Sequence, residues 1–205
     1  MPVTSTTVPR PADLARIEKG RVTRATLVTA ARDLLRRKGI ENISLHAVAS
    51  AAGSSVGAIQ LHFGTKNGLL LAVYAEQVAE ERARIDAVLG SLAGESDSAR
   101  ALVERLWEGY SQERVSFQLA LESRAVDDPE LSAQLVALVE QHVVPGEILS
   151  AAFGCDTPEV RASLSAVLAA LAGVAGLRHL IPANKVDAIL SRVVVMARAV
   201  LEELA

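Results

Sequence analysis

A short stretch of this chain concentrates polar side chains at Ser44, Ser54, Ser55, Gln60, His62, Thr65 and Lys66. Two kinds of chemistry suit them. Gly53-Ser54-Ser55-Val56-Gly57 spells G-x-S-x-G, in which a serine on a strained strand-to-helix turn serves as an acyl-transfer nucleophile. That reaction needs a strand before the turn and a sheet to present Asp and His partners, and the pattern before Gly53 is helical instead. The other chemistry is non-covalent: hydroxyls, an amide and an ammonium hydrogen-bond phosphate oxygens and base edges. No His/Cys spacing of the zinc type and no G-x-x-x-x-G-K phosphate loop occurs. The sequence therefore predicts no enzyme, no metal and no cofactor.

The elements that must position these groups are two short helices. Ser44 suits the N-cap of a helix whose Leu45, Val48, Ala49 and Ala52 form one apolar face. Gly53 ends it in a sharp turn, and Ser54 or Ser55 caps a second helix running through Ile59 to about His62. This is a helix-turn-helix, whose second helix lies in the major groove and reaches base edges only from its start and outer face. Those residues are Ser55, Val56, Ala58, Gln60, Leu61 and His62. Thr65 caps a longer helix after Gly64, where Lys66 can meet a phosphate beside free N–H groups. Arg24 and Arg21, at the start of the preceding helix, are further phosphate candidates. Arg32, Arg36, Arg37 and Lys38 also suit that helix's C-terminal dipole. Gln60 has two open roles: reading adenine, worth about 1–3 kcal/mol of discrimination, or binding a phosphate.

The stretch from Val22 to Val73 resembles the DNA-binding domain of the TetR family of bacterial one-component regulators. Leu27, Ala31, Leu34, Gly39, Ser44, Val48, Ala49, Ala52, Gly53, Gly57, His62, Phe63, Lys66 and Leu69 carry the resemblance. Ser54 stands where an apolar residue is usual, Val56 where a basic or small one is frequent, and Gln60 where a phosphate-touching tyrosine is common. The resemblance implies a double-stranded DNA contact surface at Arg24, Ser44, Ser54, Ser55, Val56, Ala58, Gln60, Leu61, His62, Thr65 and Lys66. It further implies a homodimer acting as a repressor, released from a palindromic operator by a small molecule.

Charge divides the chain in the same place. Of 205 residues, the first 70 carry ten Lys/Arg against four Asp/Glu, the remainder eleven against twenty, and the net charge is −3. The basic half holds the helix-turn-helix, and a phosphate backbone feels that local footprint rather than the overall balance. We expect a flexible arm at 1–19, a DNA-binding domain at 20–66, and a helical effector-binding and dimerisation domain at 67–205. The arm's Arg10, Arg16 and Lys19 suit a minor groove, although plain disorder is its expected state. Residues 1–20 lack the apolar core of a signal peptide, and the uncharged run Ala162 to Leu177 is shorter than the ~20 residues of a membrane span. With Cys155 as the single cysteine, these features predict a cytoplasmic protein with no membrane partner.

Beyond Thr65 the period is helical throughout, predicting an all-α fold of about nine helices with a fourth helix to about Gly90. Further helices are expected over Ala99 to Gln112, Glu113 to Val126, Pro129 to Phe153 and Pro158 to Leu180, with a kink at Pro145-Gly146. The last two carry a stripe of Leu164, Val167, Leu171 and Val174, then Val186, Leu190, Val193, Ala197 and Val200. Amphipathicity alone leaves monomer core and dimer interface both open. The resemblance implies the dimer, closed as a four-helix interface with Gly173 and Gly176 allowing close approach. Trp107, Tyr110 and Phe117, with Gln118, Glu122 and His142, fall on segments that the family uses for its pocket, and the Leu, Val and Ala content favours a lipophilic effector. A helical dimer that binds another protein, or a constitutive regulator without a ligand, are the alternatives.

Overall fold

The computed structural model describes residues 11–92, 94–110, 112–140 and 157–203. Among them are nine helices and no strand: α1 (Pro11–Lys38), α2 (Leu45–Ala51), α3 (Val56–Phe63), α4 (Lys66–Gly90), α5 (Ser98–Glu108), α6 (Gln112–Ala125), α7 (Pro129–Glu140), α8 (Pro158–Leu177) and α9 (Ala183–Glu203). They form two compact units, Met1–Val73 and Tyr74–Ala205, so the division falls within α4.

The N-terminal unit packs α1, α2 and α3 against one another. Its apolar periodicity places Leu27, Val28 and Ala31 of α1, Val48 of α2 and Ile59 of α3 out of contact with water. Residues 11–19, expected as part of a flexible arm, are instead the first turns of α1. Proline is tolerated in a first helical turn, where its missing N–H has no intrahelical partner to lose, and Glu18 pairs with Arg21 one turn on at 2.7 Å.

In the C-terminal unit α9 packs on α5 and α8, and α6 packs on α7 and α8. Side-chain caps set several starts: Asp97 accepts from the Arg100 amide, Asp128 from that of Leu131 and Thr157 from that of Val160. Asp97 also pairs with Arg198 of α9 at 3.0 Å. The Arg100 amide, followed by Arg198, holds its carboxyl below the usual aspartate value.

The core of this unit joins Ile85, Val88 and Leu89 of α4 to Leu102, Val103 and Leu106 of α5, and to the stripes of α8 and α9. That corrects the expected dimer contacts. Leu164, Val167, Leu171, Val174, Val193, Ala197 and Val200 are buried by the chain itself, and Leu190 packs against the same cluster. Val167, Leu171 and Ala197 have no accessible surface with which to touch a second copy, and Val174 and Val200 keep only a small exposed edge. Val186 is half-buried. Gly176 likewise meets Val115 and Leu119 of α6 within the chain, while Gly173 faces open space. By length and composition α8 could cross a membrane, yet seven of its residues are buried in the protein. His142, Cys155, the Pro145-Gly146 kink and the expected continuation of α7 to Phe153 lie outside the described residues.

Candidate nucleic-acid interface and cavity

The helix-turn-helix is built by its caps. Ser44 Oγ accepts from the Ala47 amide at 3.2 Å, and Ser55 Oγ from the Ala58 amide at 3.1 Å. Between them Gly53 takes φ +58, which a side chain would disfavour, and the Ser54 amide reaches back to the Ala49 carbonyl at 2.8 Å. Ser55 is thus committed to starting α3, and the element before it is a helix, so the G-x-S-x-G string supplies no nucleophile elbow. Thr65 Oγ1 accepts from the Gly68 amide at 3.0 Å and starts α4.

This arrangement buries Ile59 and turns the opposite face of α3 outward. Gln60 is exposed, and Leu61 is 83% exposed. Ser44, Ser55 and Thr65 are exposed; Ser54, Val56, Ala58, His62 and Lys66 are half-buried. Arg24 is exposed and lies 5.2 Å from the centroid of the Phe63 ring, a cation–π contact that holds its charge beside the end of α3. Such a face offers amide, hydroxyl and cationic donors for phosphates, with an apolar side chain suited to a thymine methyl.

The C-terminal unit holds an open-sided cavity of about 320 Å³. Helix α4 contributes Tyr74, Gln77, Val78, Glu81 and Ile85; α6 contributes Arg114, Val115, Gln118 and Glu122; α8 contributes Ser165, Leu168, Ala169 and Ala172. Tyr110 and Val139 complete the lining. Three of the expected pocket residues, Tyr110, Gln118 and Glu122, are therefore in the wall. Phe117 and Trp107 are not. Arg114, Gln118 and Glu122 recur every four residues and occupy the cavity side of α6, leaving Phe117 rotated away. Trp107 packs against the helical core instead.

One end of the cavity is an ionic network. Glu81 pairs with Arg84 in a short contact and with Arg114 at 3.3 Å. Arg84 also donates to the Leu106 carbonyl at 2.7 Å and lies 5.2 Å from the Tyr110 ring centroid. Arg114 donates to the Gln77 carbonyl at 2.9 Å while Gln77 Nε2 donates to the Arg114 carbonyl at 3.1 Å, tying α4 to α6 in both directions. Burial and then the Glu122 charge push the Tyr74 phenol up to about 12; burial and then Glu81 push that of Tyr110 higher still. Both rings are therefore neutral at any working pH. Sequence reasoning missed the α4 wall and this network, although Tyr74, Gln77, Glu81 and Ile85 carry the i, i+3, i+7, i+11 spacing of one helix face.

The sequence profile described as bacterial regulatory proteins, tetR family, matches residues 27–73. The chain is 34% identical over 128 residues to the HTH-type transcriptional regulator CymR of Pseudomonas putida, a match covering 61% of this chain and 62% of that protein's length. Its fold is similar to that of a transcriptional regulator from Rhodococcus sp. Rha1, with a TM-score of 0.63 at 24% identity, over 88% of this chain and 96% of the other. It is also similar to the multidrug binding protein EbrR, whose structure is complexed with imidazole, with a TM-score of 0.57 at 26% identity over 94% and 97% of the two chains.

Proposed function

We propose that this chain, whose residues 27–73 match the tetR family of bacterial regulatory proteins, is a member of that family and a homodimeric, DNA-binding regulator of transcription. In this reading it represses, and a small lipophilic molecule entering the cavity releases it from a near-palindromic operator. The observation that carries the proposal is the outer face of α3: two serine-capped helices about the Gly53 turn bury Ile59 and leave Gln60 and Leu61 pointing away from the unit's core. A helix so presented fits the major groove, with Lys66, Thr65 and Arg24 near enough in the same unit to meet flanking phosphates.

Dimerisation is assigned to the outward faces of the last two helices. Ile189 and Met196 are exposed along one flank of the α9 stripe, and Leu177 is exposed at the end of α8. Apolar side chains clustered in this way mark an association surface. A twofold pair would present its two recognition helices about one helical turn apart, ~34–36 Å. The cavity supports a ligand: five of its lining residues lie on α4, the helix that begins at Lys66. A ligand that prefers one position of α4 needs only ~1–3 kcal/mol of coupling to change operator occupancy severalfold. EbrR, whose fold is similar, is described as a multidrug binding protein, which supports reading the cavity as a small-molecule site.

Selection of bound fragments from a random-sequence DNA library tests the proposal. The expected result is enrichment of a near-palindrome with half-sites about ten base pairs apart. A library that shows no enrichment after repeated rounds contradicts it.

A further inference from the structure

The charges around the cavity are unequally compensated, and the inequality specifies a ligand class. This deepens the reading of the cavity as an effector site and rests on it. Among the described residues, three charged side chains line the wall: Glu81, Arg114 and Glu122. Glu81 is held by both Arg84 and Arg114. Arg84 is further engaged by the carbonyls of Arg105 and Leu106 at the C-terminal end of α5, where the helix dipole favours a cation. Arg114 spends its remaining donors in part on the Gln77 carbonyl.

Glu122 differs. Among the described residues its recorded hydrogen-bond partner is the neutral amide Nε2 of Gln118, at 2.9 Å, and no ion pair to it is found. An ionised carboxylate has about four acceptor positions, so most of its capacity is unused. Glu122 is half-buried in the wall, and a ligand of opposite charge would give its carboxylate the counter-ion that the described residues do not. The surroundings suit such a ligand. Glu122 is felt at Tyr74, whose phenol it helps to keep protonated. Tyr74 supplies a neutral aromatic ring of the kind that attracts ammonium groups, whereas the Tyr110 ring already carries Arg84. Val78, Ile85, Val115, Val139 and Leu168 supply an apolar wall for the rest of the molecule.

We propose that this cavity selects organic cations with an apolar body, quaternary or protonated amines, using the Glu122 carboxylate as counter-ion and the ring of Tyr74 as flanking partner. Calorimetric titration of the full chain with three probes sharing one alkyl tail, octyltrimethylammonium, 1-octanol and octanoate, tests it. The cation binds tightest and octanoate weakest. Glu122→Gln lowers affinity for octyltrimethylammonium by about tenfold or more, as loss of a charged partner does, while octanol, which also reports an intact fold, stays within about twofold. If Glu122→Gln loses octanol as well, the order of the three probes on the native chain decides. Octanoate or octanol binding tightest, or an unchanged affinity for the cation in Glu122→Gln, overturns the ligand class and leaves the effector cavity standing. Binding of none of the three overturns both.

Discussion

Leu171→Ala and Met196→Glu separate the two faces of the final helices. Leu171 has no accessible surface and sits where α8 meets α5 and α9, so truncating it removes buried methyl groups and leaves a cavity. Such a change costs about 2–5 kcal/mol. For a chain of this size that corresponds to a fall in Tm of roughly 4–20 °C. Met196 is 42% exposed and lies on the flank of the α9 stripe. A charge there costs the isolated chain within about 0.5 kcal/mol but would be forced into the proposed interface. Calorimetric melting and sedimentation equilibrium, run at matched protomer concentrations because association itself raises Tm, distinguish them. Leu171→Ala melts early and remains a dimer; Met196→Glu sediments as a monomer. A monomeric Leu171→Ala with an unchanged Tm, beside a dimeric Met196→Glu, would refute the assignment of the inner stripe to the core.

The helix-turn-helix and the cavity each yield further tests. Lys66→Ala weakens binding equally on all DNA and lowers the magnitude of the salt slope by about one, measured by anisotropy across a salt series. Gln60→Ala relaxes preference at one base pair if the amide reads adenine, and an equal loss on every sequence places it on the backbone. At Gly68 an added Cβ would lie 2.0 Å from the Phe63 carbonyl oxygen, so Gly68→Ala forces the junction of α3 and α4 apart; we expect about 1–3 kcal/mol of lost stability in denaturant melts, and a neutral effect would contradict the close approach. Tyr74 and Tyr110 are the chain's two tyrosines, and both have raised pKa values. Because the folded state holds these protons more tightly than the unfolded, their contribution to stability is intact below the ordinary value of 10 and is lost as pH rises through about 12. Alkaline difference absorbance should show no phenolate near pH 10 in the folded protein, and a step there would show the rings to be solvated.

The helix-turn-helix was legible because its signals are local. Ser44, Ser55 and Thr65 act within three residues of themselves, Gly53 answers to its own φ, and Asp128-Pro129 starts α7 by the same short-range chemistry. The stripe on α8 and α9 was legible as buried but not as to what buries it. A heptad-like repeat looks the same against a second copy as against α5, and α5 supplies Leu102, Val103 and Leu106 to that contact. The cavity was half legible for a related reason. Attention to aromatic residues favoured Trp107 and Phe117, whereas the wall is set by helix rotation, which turns Gln77, Glu81, Arg114 and Glu122 inward. The pairing of Glu81 with Arg114 joins residues far apart in the chain, and no local pattern announces it. The start of α1 was missed because the prolines and hydroxyl residues before it set the tone of the whole segment, although Pro11 suits a first turn.

The central claim, that α3 reads DNA, is tested most directly by anisotropy with the fragment immediately upstream of the protein's own coding region, compared with random DNA across a salt series. The account predicts tight binding to that fragment at two protomers per site, with affinity falling steeply as salt rises and random DNA far weaker. Equal and weak binding to both DNAs would contradict it.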